Sequence, residues 1–206
     1  MLNKHKTVFK EELGLISGTT AKIHITEDTE LKFFRHKQYP MHSKNRVIQE
    51  IDRLEKAGII KPVEFSDWAA PIVPVVKPDG SVRLRGNYKV TVNRVAKVDK
   101  YPLPRIDDIL SSLAGGKTFS KLDLAHVYQQ VPLDEDSQKL TMINTPKGLY
   151  QYTRLPFGVF SAPAIFQRVM EMLLQGIPNV SVYLDDILVT GKTESEHLQN
   201  LQEILM

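Results

Sequence analysis

Val180-Ser181-Val182-Tyr183-Leu184-Asp185-Asp186-Ile187-Leu188-Val189 sets two adjacent carboxylates between two apolar, β-rich runs. Asn179, Val180, Val182 and Leu184 read as one strand and Ile187 to Val189 as the next. The pattern therefore predicts a hairpin with both aspartates at its turn. Carboxylates are seldom buried without a partner, and neighbouring like charges repel. An isolated Asp-Asp reads as a polar turn. Here Tyr183 at the head and dense apolar flanks favour a different reading, in which a divalent cation neutralises the pair. Mg²⁺ takes oxygen ligands and is commonly held by one or two carboxylates plus substrate phosphates.

A third acid fits the same chemistry. Lys117-Thr118-Phe119-Ser120-Lys121-Leu122-Asp123-Leu124 reads as a strand running straight into Asp123, with Phe119 and Leu122 to Leu124 as its buried groups. A strand-end aspartate and a hairpin pair can meet in a twisted antiparallel sheet. Three carboxylates around two Mg²⁺ ions form an arrangement that activates an attacking oxygen and stabilises a leaving pyrophosphate.

The chain has 206 residues, 42% of them apolar and 25% charged, with a net charge of +3 and no cysteine. That is ordinary globular composition, enough for one good core or two small domains. The lack of cysteine excludes disulfides and thiolate metal sites and fits an intracellular protein. No apolar run has membrane-spanning length, and no signal-peptide pattern opens the chain. Between Lys77 and Arg105 stand eight basic residues against two acidic ones. This excess suits either a phosphate-binding face or a solvated basic loop.

The remaining chain reads as scaffold around these groups. Residues 1–40, with basic and aromatic residues interleaved from Leu31 to Tyr39, suggest an extended arm. Ser43 can cap a helix over 44–57, with Val47, Ile48, Ile51 and Leu54 on one face and Gly58 as its stop. Prolines in Ile59–Val63 and Ala70–Val76 suggest edge strands. Lys77-Pro78-Asp79-Gly80-Ser81 is a strong turn, and Val82-Arg83-Leu84-Arg85 returns as the second strand of a basic hairpin. Such a hairpin can clamp a polyphosphate or be a generic surface feature. A short helix is expected over 106–113, a helical turn from Asp134, and a hairpin over 141–152. A helix capped by Ser161 should run to about Leu174, with Ile165, Phe166, Val169, Met172 and Leu173 as its apolar face. Thr193-Glu194-Ser195-Glu196 forms a capping box for a last helix, inside which the chain ends.

Tyr183-Leu184-Asp185-Asp186 resembles the Tyr-X-Asp-Asp box of reverse transcriptases. Other boxes stand in matching order: Tyr101-Pro102-Leu103-Pro104-Arg105-Ile106-Asp107-Asp108, Phe119 to Leu124, Leu155-Pro156-Phe157-Gly158, and Ala162-Pro163-Ala164-Ile165-Phe166-Gln167. Together they resemble the polymerases of gypsy-class LTR retrotransposons over residues 30 to 206. The resemblance implies an α+β fold, the fingers and palm of a right-hand polymerase, with an antiparallel palm sheet backed by helices and truncation before the thumb. It implies an N-terminal arm (1–40), fingers (41–100), palm (101–135), a return of the fingers (136–160), and palm with the acidic hairpin (161–206), incomplete at its C-terminus.

Position by position, the resemblance makes Asp123, Asp185 and Asp186 the catalytic acids, with the Leu124 carbonyl beside them at two Mg²⁺ ions, Mn²⁺ being the alternative. Lys77 and Arg83 match residues that grip a triphosphate. Tyr128 matches the residue beneath the incoming sugar, where an aromatic ring excludes a ribose 2′-hydroxyl. Phe157 and Gly158 match the loop lining the nucleotide pocket. Tyr183 and Gln167 fall toward template and primer, with packing an equal alternative for Gln167. The implied activity is template-directed addition of deoxynucleotides to a primer 3′-hydroxyl. The implied partners are an RNA or DNA template-primer and deoxynucleoside triphosphates. RNase H and integrase domains are expected in a parent polyprotein.

Three positions depart from the family. Arg85 replaces a small apolar residue expected to be half buried, Asn87 replaces an aspartate, and Phe160 stands where a small or polar residue is usual. An uncompensated buried charge costs several kcal/mol unless the side chain snorkels out. Asn87, Arg85 and the truncation support an alternative reading, a degenerate or co-opted element copy that keeps the fold and weak nucleic-acid binding without catalysis.

Overall fold

Two sheets of different size organise the chain, each in its own unit. One unit comprises Leu15–Asp99 and Tyr128–Ala162; the other comprises Met1–Gly14, Lys100–Val127 and Pro163–Met206. The computed structural model describes residues 5–6, 8–10, 12–26, 32–35, 41–78 and 80–205, and the side chains of 41–43 lie outside this description. In chain order the elements are α1 (Met41–Lys56), β1 (Ile60–Val63), β2 (Ala70–Val76), β3 (Val82–Gly86), α2 (Ile106–Ser112), β4 (Thr118–Asp123), α3 (Glu135–Leu140), β5 (Met142–Thr145), β6 (Gly148–Tyr152), α4 (Ala162–Leu173), β7 (Val180–Tyr183), β8 (Asp186–Gly191) and α5 (Glu194–Ile204).

The larger sheet runs β1-β6-β5-β2-β3. Helix α1 buries Val47, Ile51 and Leu54, the stripe expected from its spacing. It begins at Met41, so Ser43 lies in its first turn and not ahead of it. The helix closes where the Ile59 N–H donates to the Leu54 carbonyl at 2.9 Å, across Gly58. Pro62 does sit in an edge strand, β1. Strand β2, also expected at an edge, lies inside the sheet order. It tolerates Pro74 because its parallel pairing with β5 covers only Ala70 and Pro71. Beyond Pro71, β2 and β3 continue as a two-stranded ribbon with register Val75↔Arg83 and Val73↔Arg85. At its tip the Lys77 N–H donates to the Ser81 carbonyl at 2.8 Å. Asp79 of that turn lies outside the described residues, as do 27–31 and 36–40 of the expected arm. The described part of that segment runs alongside this unit through isolated bridges Ala21↔Leu133, Ile25↔Ala96 and Phe33↔Ala69.

The smaller sheet runs β4-β8-β7, all antiparallel. Strict alternation puts Val182, Ile187 and Val189 in the core. Phe119, expected inside, is 58% exposed. It shares a strand face with Lys121 and Asp123, opposite to Leu122, so period-two geometry turns it outward. Helix α4 buries Ile165, Phe166, Val169 and Met170 and exposes Met172 and Leu173, because its stripe follows the i, i+4 positions from Ile165 and Phe166. The expected cap by Ser161 is absent: its hydroxyl is buried with no partner among the described residues. Thr193 does cap α5, accepting from the Glu196 N–H at 3.2 Å. The Glu196 carboxylate reaches back to the Lys192 N–H at 2.8 Å. Among the described residues no helix is long and apolar enough to cross a membrane.

Candidate active site

The hairpin that carries the paired acids is tighter than its sequence suggests. Tyr183 pairs with Asp186, so Leu184 and Asp185 alone form the turn, and Asp186 is the first residue of β8. A two-residue hairpin whose twist matches its strands needs positive φ at its first central position. Leu184 supplies it at φ 53°. For a side chain of that size the left-handed region costs on the order of 1–3 kcal/mol. Main-chain and side-chain bonds offset the cost at both turn residues. The Leu184 N–H donates to Gln167 Oε1 at 3.0 Å, and the Asp185 carbonyl accepts from the Leu124 N–H at 2.9 Å.

Gln167 is fully buried on α4. Its Nε2 donates to Glu171 Oε1 at 2.7 Å and to the Val182 carbonyl at 2.8 Å. Expected at the template, it instead has every amide hydrogen committed inside its unit, and the packing alternative describes it. Its alignment with the turn depends on α4 and β7 meeting, which no local pattern announces.

Asp123 lies directly opposite Asp186 in the β4–β8 ladder, so their side chains leave the sheet on one face, together with Tyr183. Two like charges at opposed positions repel. Lys121, two residues before Asp123 and therefore on the same face, answers this by placing Nζ 2.8 Å from Asp186 Oδ2. The hydrogen bond to Asp186 raises the Lys121 ammonium above its ordinary pKa, with the charges of Asp186 and Asp123 adding to it. Sequence analysis passed over Lys121, although its period-two relation to Asp123 marks it.

Asp123 and the hairpin pair are thus brought together by backbone pairing. The preassembled three-carboxylate cluster is not: among the described residues no group of three or more His, Asp or Glu side chains is placed to hold a metal ion. The donor set nevertheless fits a hard divalent cation. It offers carboxylate oxygens on one face of a sheet, and Mg²⁺ asks for one or two of these with substrate phosphates completing its shell.

The other unit carries the cationic candidates. Val82, Leu84 and Gly86 face the core, so Arg83 and Arg85 share the opposite face of β3. Their guanidinium carbons lie 5.1 and 5.7 Å from the centre of the Phe157 ring. Arg85 is half-buried, as its sequence context suggested. It stacks on an aromatic face beside Arg83, although its Nε is buried without a partner among the described residues. Tyr128 meets Phe157 edge-on at 5.0 Å. Gly158 has φ 98°, a left-handed conformation that a side chain would strain. Asn93, which sequence analysis missed, holds this loop from both sides. Its Nδ2 donates to the Gly158 carbonyl at 2.7 Å, and its Oδ1 accepts from the Phe160 N–H at 2.8 Å. Phe160 itself is 64% exposed, and nothing in the structure explains it. Lys77 is half-buried at the ribbon tip.

The chain thus carries an acidic hairpin in a three-stranded antiparallel sheet and, in its other unit, an arginine–aromatic platform. Residues 75–206 match the family model for reverse transcriptase (RNA-dependent DNA polymerase). The chain belongs to the reverse transcriptase family. It is 31% identical over 210 residues to the retrovirus-related Pol polyprotein from transposon 297 of Drosophila melanogaster, covering 98% of this chain and 20% of that protein. It is 38% identical over 204 residues to an uncharacterised Caenorhabditis elegans protein, covering 98% of this chain and 16% of that one. Among solved structures, the foamy viral protease-reverse transcriptase in complex with RNA/DNA hybrid superposes with a TM-score of 0.86 at 30% identity, over 99% of this chain and 28% of the viral one. The chain thus spans about a fifth or less of the curated relatives it matches. Fingers and palm of an LTR-retrotransposon reverse transcriptase account for the α+β architecture.

Proposed function

We propose that this chain forms the fingers and palm of an RNA-directed DNA polymerase that adds deoxynucleotides to a primer 3′-hydroxyl. The observation that carries the reading is the pairing of Asp123 with Asp186, locked by the Leu124–Asp185 main-chain bond. Asp123, Asp185 and the Leu124 carbonyl would hold two Mg²⁺ ions, with Asp186 as their companion. Bound there, divalent ions supply charge neutralisation for the attacking and leaving oxygens. The chain's own residues do the positioning. Arg83 and Lys77 bind triphosphate oxygens through charge-assisted hydrogen bonds. Phe157 holds Arg83 in place through its ring face, and Tyr128, braced edge-on by Phe157, excludes a 2′-hydroxyl. Gly158 lets the loop approach the nucleotide, and Tyr183 meets the primer. RNA or DNA template-primer and deoxynucleoside triphosphates are the partners of this reading, within a longer polyprotein.

Extension of a primed RNA template in Mg²⁺ or Mn²⁺, abolished by Asp185→Asn, is the expected result. A second reading, a degenerate copy that binds nucleic acid without catalysis, is favoured by Arg85, whose Nε is buried without a partner among the described residues. It predicts salt-sensitive template binding with no extension under either ion.

A further inference from the structure

The turn between β7 and β8 is held by one buried amide, and that amide is held in turn. Gln167 has two N–H groups and one carbonyl oxygen to satisfy. Its oxygen takes the Leu184 N–H at 3.0 Å, one N–H goes to the Val182 carbonyl at 2.8 Å, and the other goes to Glu171 Oε1 at 2.7 Å. Both partners on the nitrogen side are acceptors only, so the amide has one orientation, the one that presents oxygen to Leu184. Glu171 has a second oxygen, and the Tyr101 hydroxyl donates to it. That bond raises the Tyr101 phenol above its ordinary pKa. Arg168, one turn before Glu171 on α4, lies with its guanidinium 5.9 Å from the Tyr101 ring centre.

We infer that Glu171 and Tyr101 are positioning residues for the acidic turn, acting through Gln167 on the Leu184 amide. The inference rests on the polymerase reading for its consequence but not for its geometry. Gln167 is fully buried, so loss of Glu171 takes away the acceptor of one of its N–H groups. The amide then relaxes, and the positive-φ turn that carries Asp185 loses its grip at Leu184. Tyr101 acts one step further out, by holding the Glu171 carboxylate in the orientation that meets Gln167.

Amide hydrogen exchange of the full chain reads this directly, because Leu184 N–H is a reporter that needs no catalysis. Glu171→Leu should speed exchange at Leu184 by about tenfold, the equivalent of one hydrogen bond to a charged group, and leave the central-strand amides of Leu188 and Val189 unchanged. Glu171→Gln, which keeps an acceptor, should restore protection. Tyr101→Phe should give a smaller acceleration, and it serves as the test should Glu171→Leu not fold. In primer extension, Glu171→Leu should lower kcat and leave KM for the nucleotide unchanged. Unchanged Leu184 exchange in Glu171→Leu and Tyr101→Phe overturns the inference. So does faster exchange with kcat intact. If the unaltered chain extends no primer at all, the polymerase reading fails by itself, and the exchange arm still decides the positioning role.

Discussion

The main-chain N–H of Leu124 donates to the carbonyl of Asp185 at 2.9 Å, so the residue after one acid is tied to the backbone of the next. The acids are therefore placed by backbone pairing, and Asp123 and Asp185 are solvent-exposed. Asp123→Asn and Asp185→Asn should each shift stability by less than about 0.5 kcal/mol, as expected for surface polar changes. Each should reduce primer extension by about 10²–10³-fold, the scale for losing a principal electrostatic group. Thermal melts and single-turnover extension on the same preparations check the split. A large loss of stability with the loss of activity would mean that the side chains also hold the sheet together.

Lys121 and Asp186 form an exposed ion pair at 2.8 Å on the acid-bearing face. A resident ammonium opposes a second cation there. Lys121→Met should lower the Mg²⁺ or Mn²⁺ concentration needed for half-maximal thermal stabilisation by about thirtyfold, the effect of one unit charge on a divalent ion about 4 Å away in water. The melting temperature without metal should barely move, as for most surface pairs. A weaker metal response in the variant would instead make Lys121 a helper of the acids.

Gly86 lies against the ring of Tyr88, and a Cβ there would stand 2.5 Å from the ring's Cζ. Tyr88 cannot yield, because it is 1% exposed and its hydroxyl donates to the Thr141 carbonyl at 3.1 Å. Gly86→Ala should therefore destabilise the larger-sheet unit by about 1–3 kcal/mol, the usual cost of overpacking. Urea unfolding with an unchanged m-value would confirm a native-state clash.

Burial raises the phenols of Tyr88 and Tyr152 well above their ordinary value, with the charge of Tyr152 adding at Tyr88 and that of Glu50 at Tyr152. The folded chain then keeps protons that the unfolded chain releases. Stability from these groups is complete below about pH 10, where an unfolded tyrosine ionises, and falls as pH rises beyond it. Tyrosinate absorbance and far-UV circular dichroism, followed together, should show the last phenols ionising only as the fold is lost. Full ionisation with intact secondary structure would contradict the burial.

Much of the fold was legible because periodicity and turn chemistry are local. The stripe of Val47, Ile51 and Leu54, the cap at Thr193 and the strand entering Asp123 all follow from residue spacing. The errors have one kind of cause. Phe119 is apolar and invites a core position, yet it lies on the same strand face as Asp123. Ser161 looked like a cap, but its hydroxyl is buried without a partner. Pro74 argued for an edge, yet β2 loses its second neighbour only partway along.

The chain's residues by themselves determined the candidate acids and their family, because strand-end aspartates, an Asp-Asp hairpin and a run of matching boxes are written along the backbone. Only folding decided what holds those acids. Gln167, Glu171 and Tyr101 become one hydrogen-bonded line, and Lys121 becomes the counterion of Asp186, through pairings between segments far apart in sequence. Such contacts depend on register and helix packing, and neither is encoded within any single stretch.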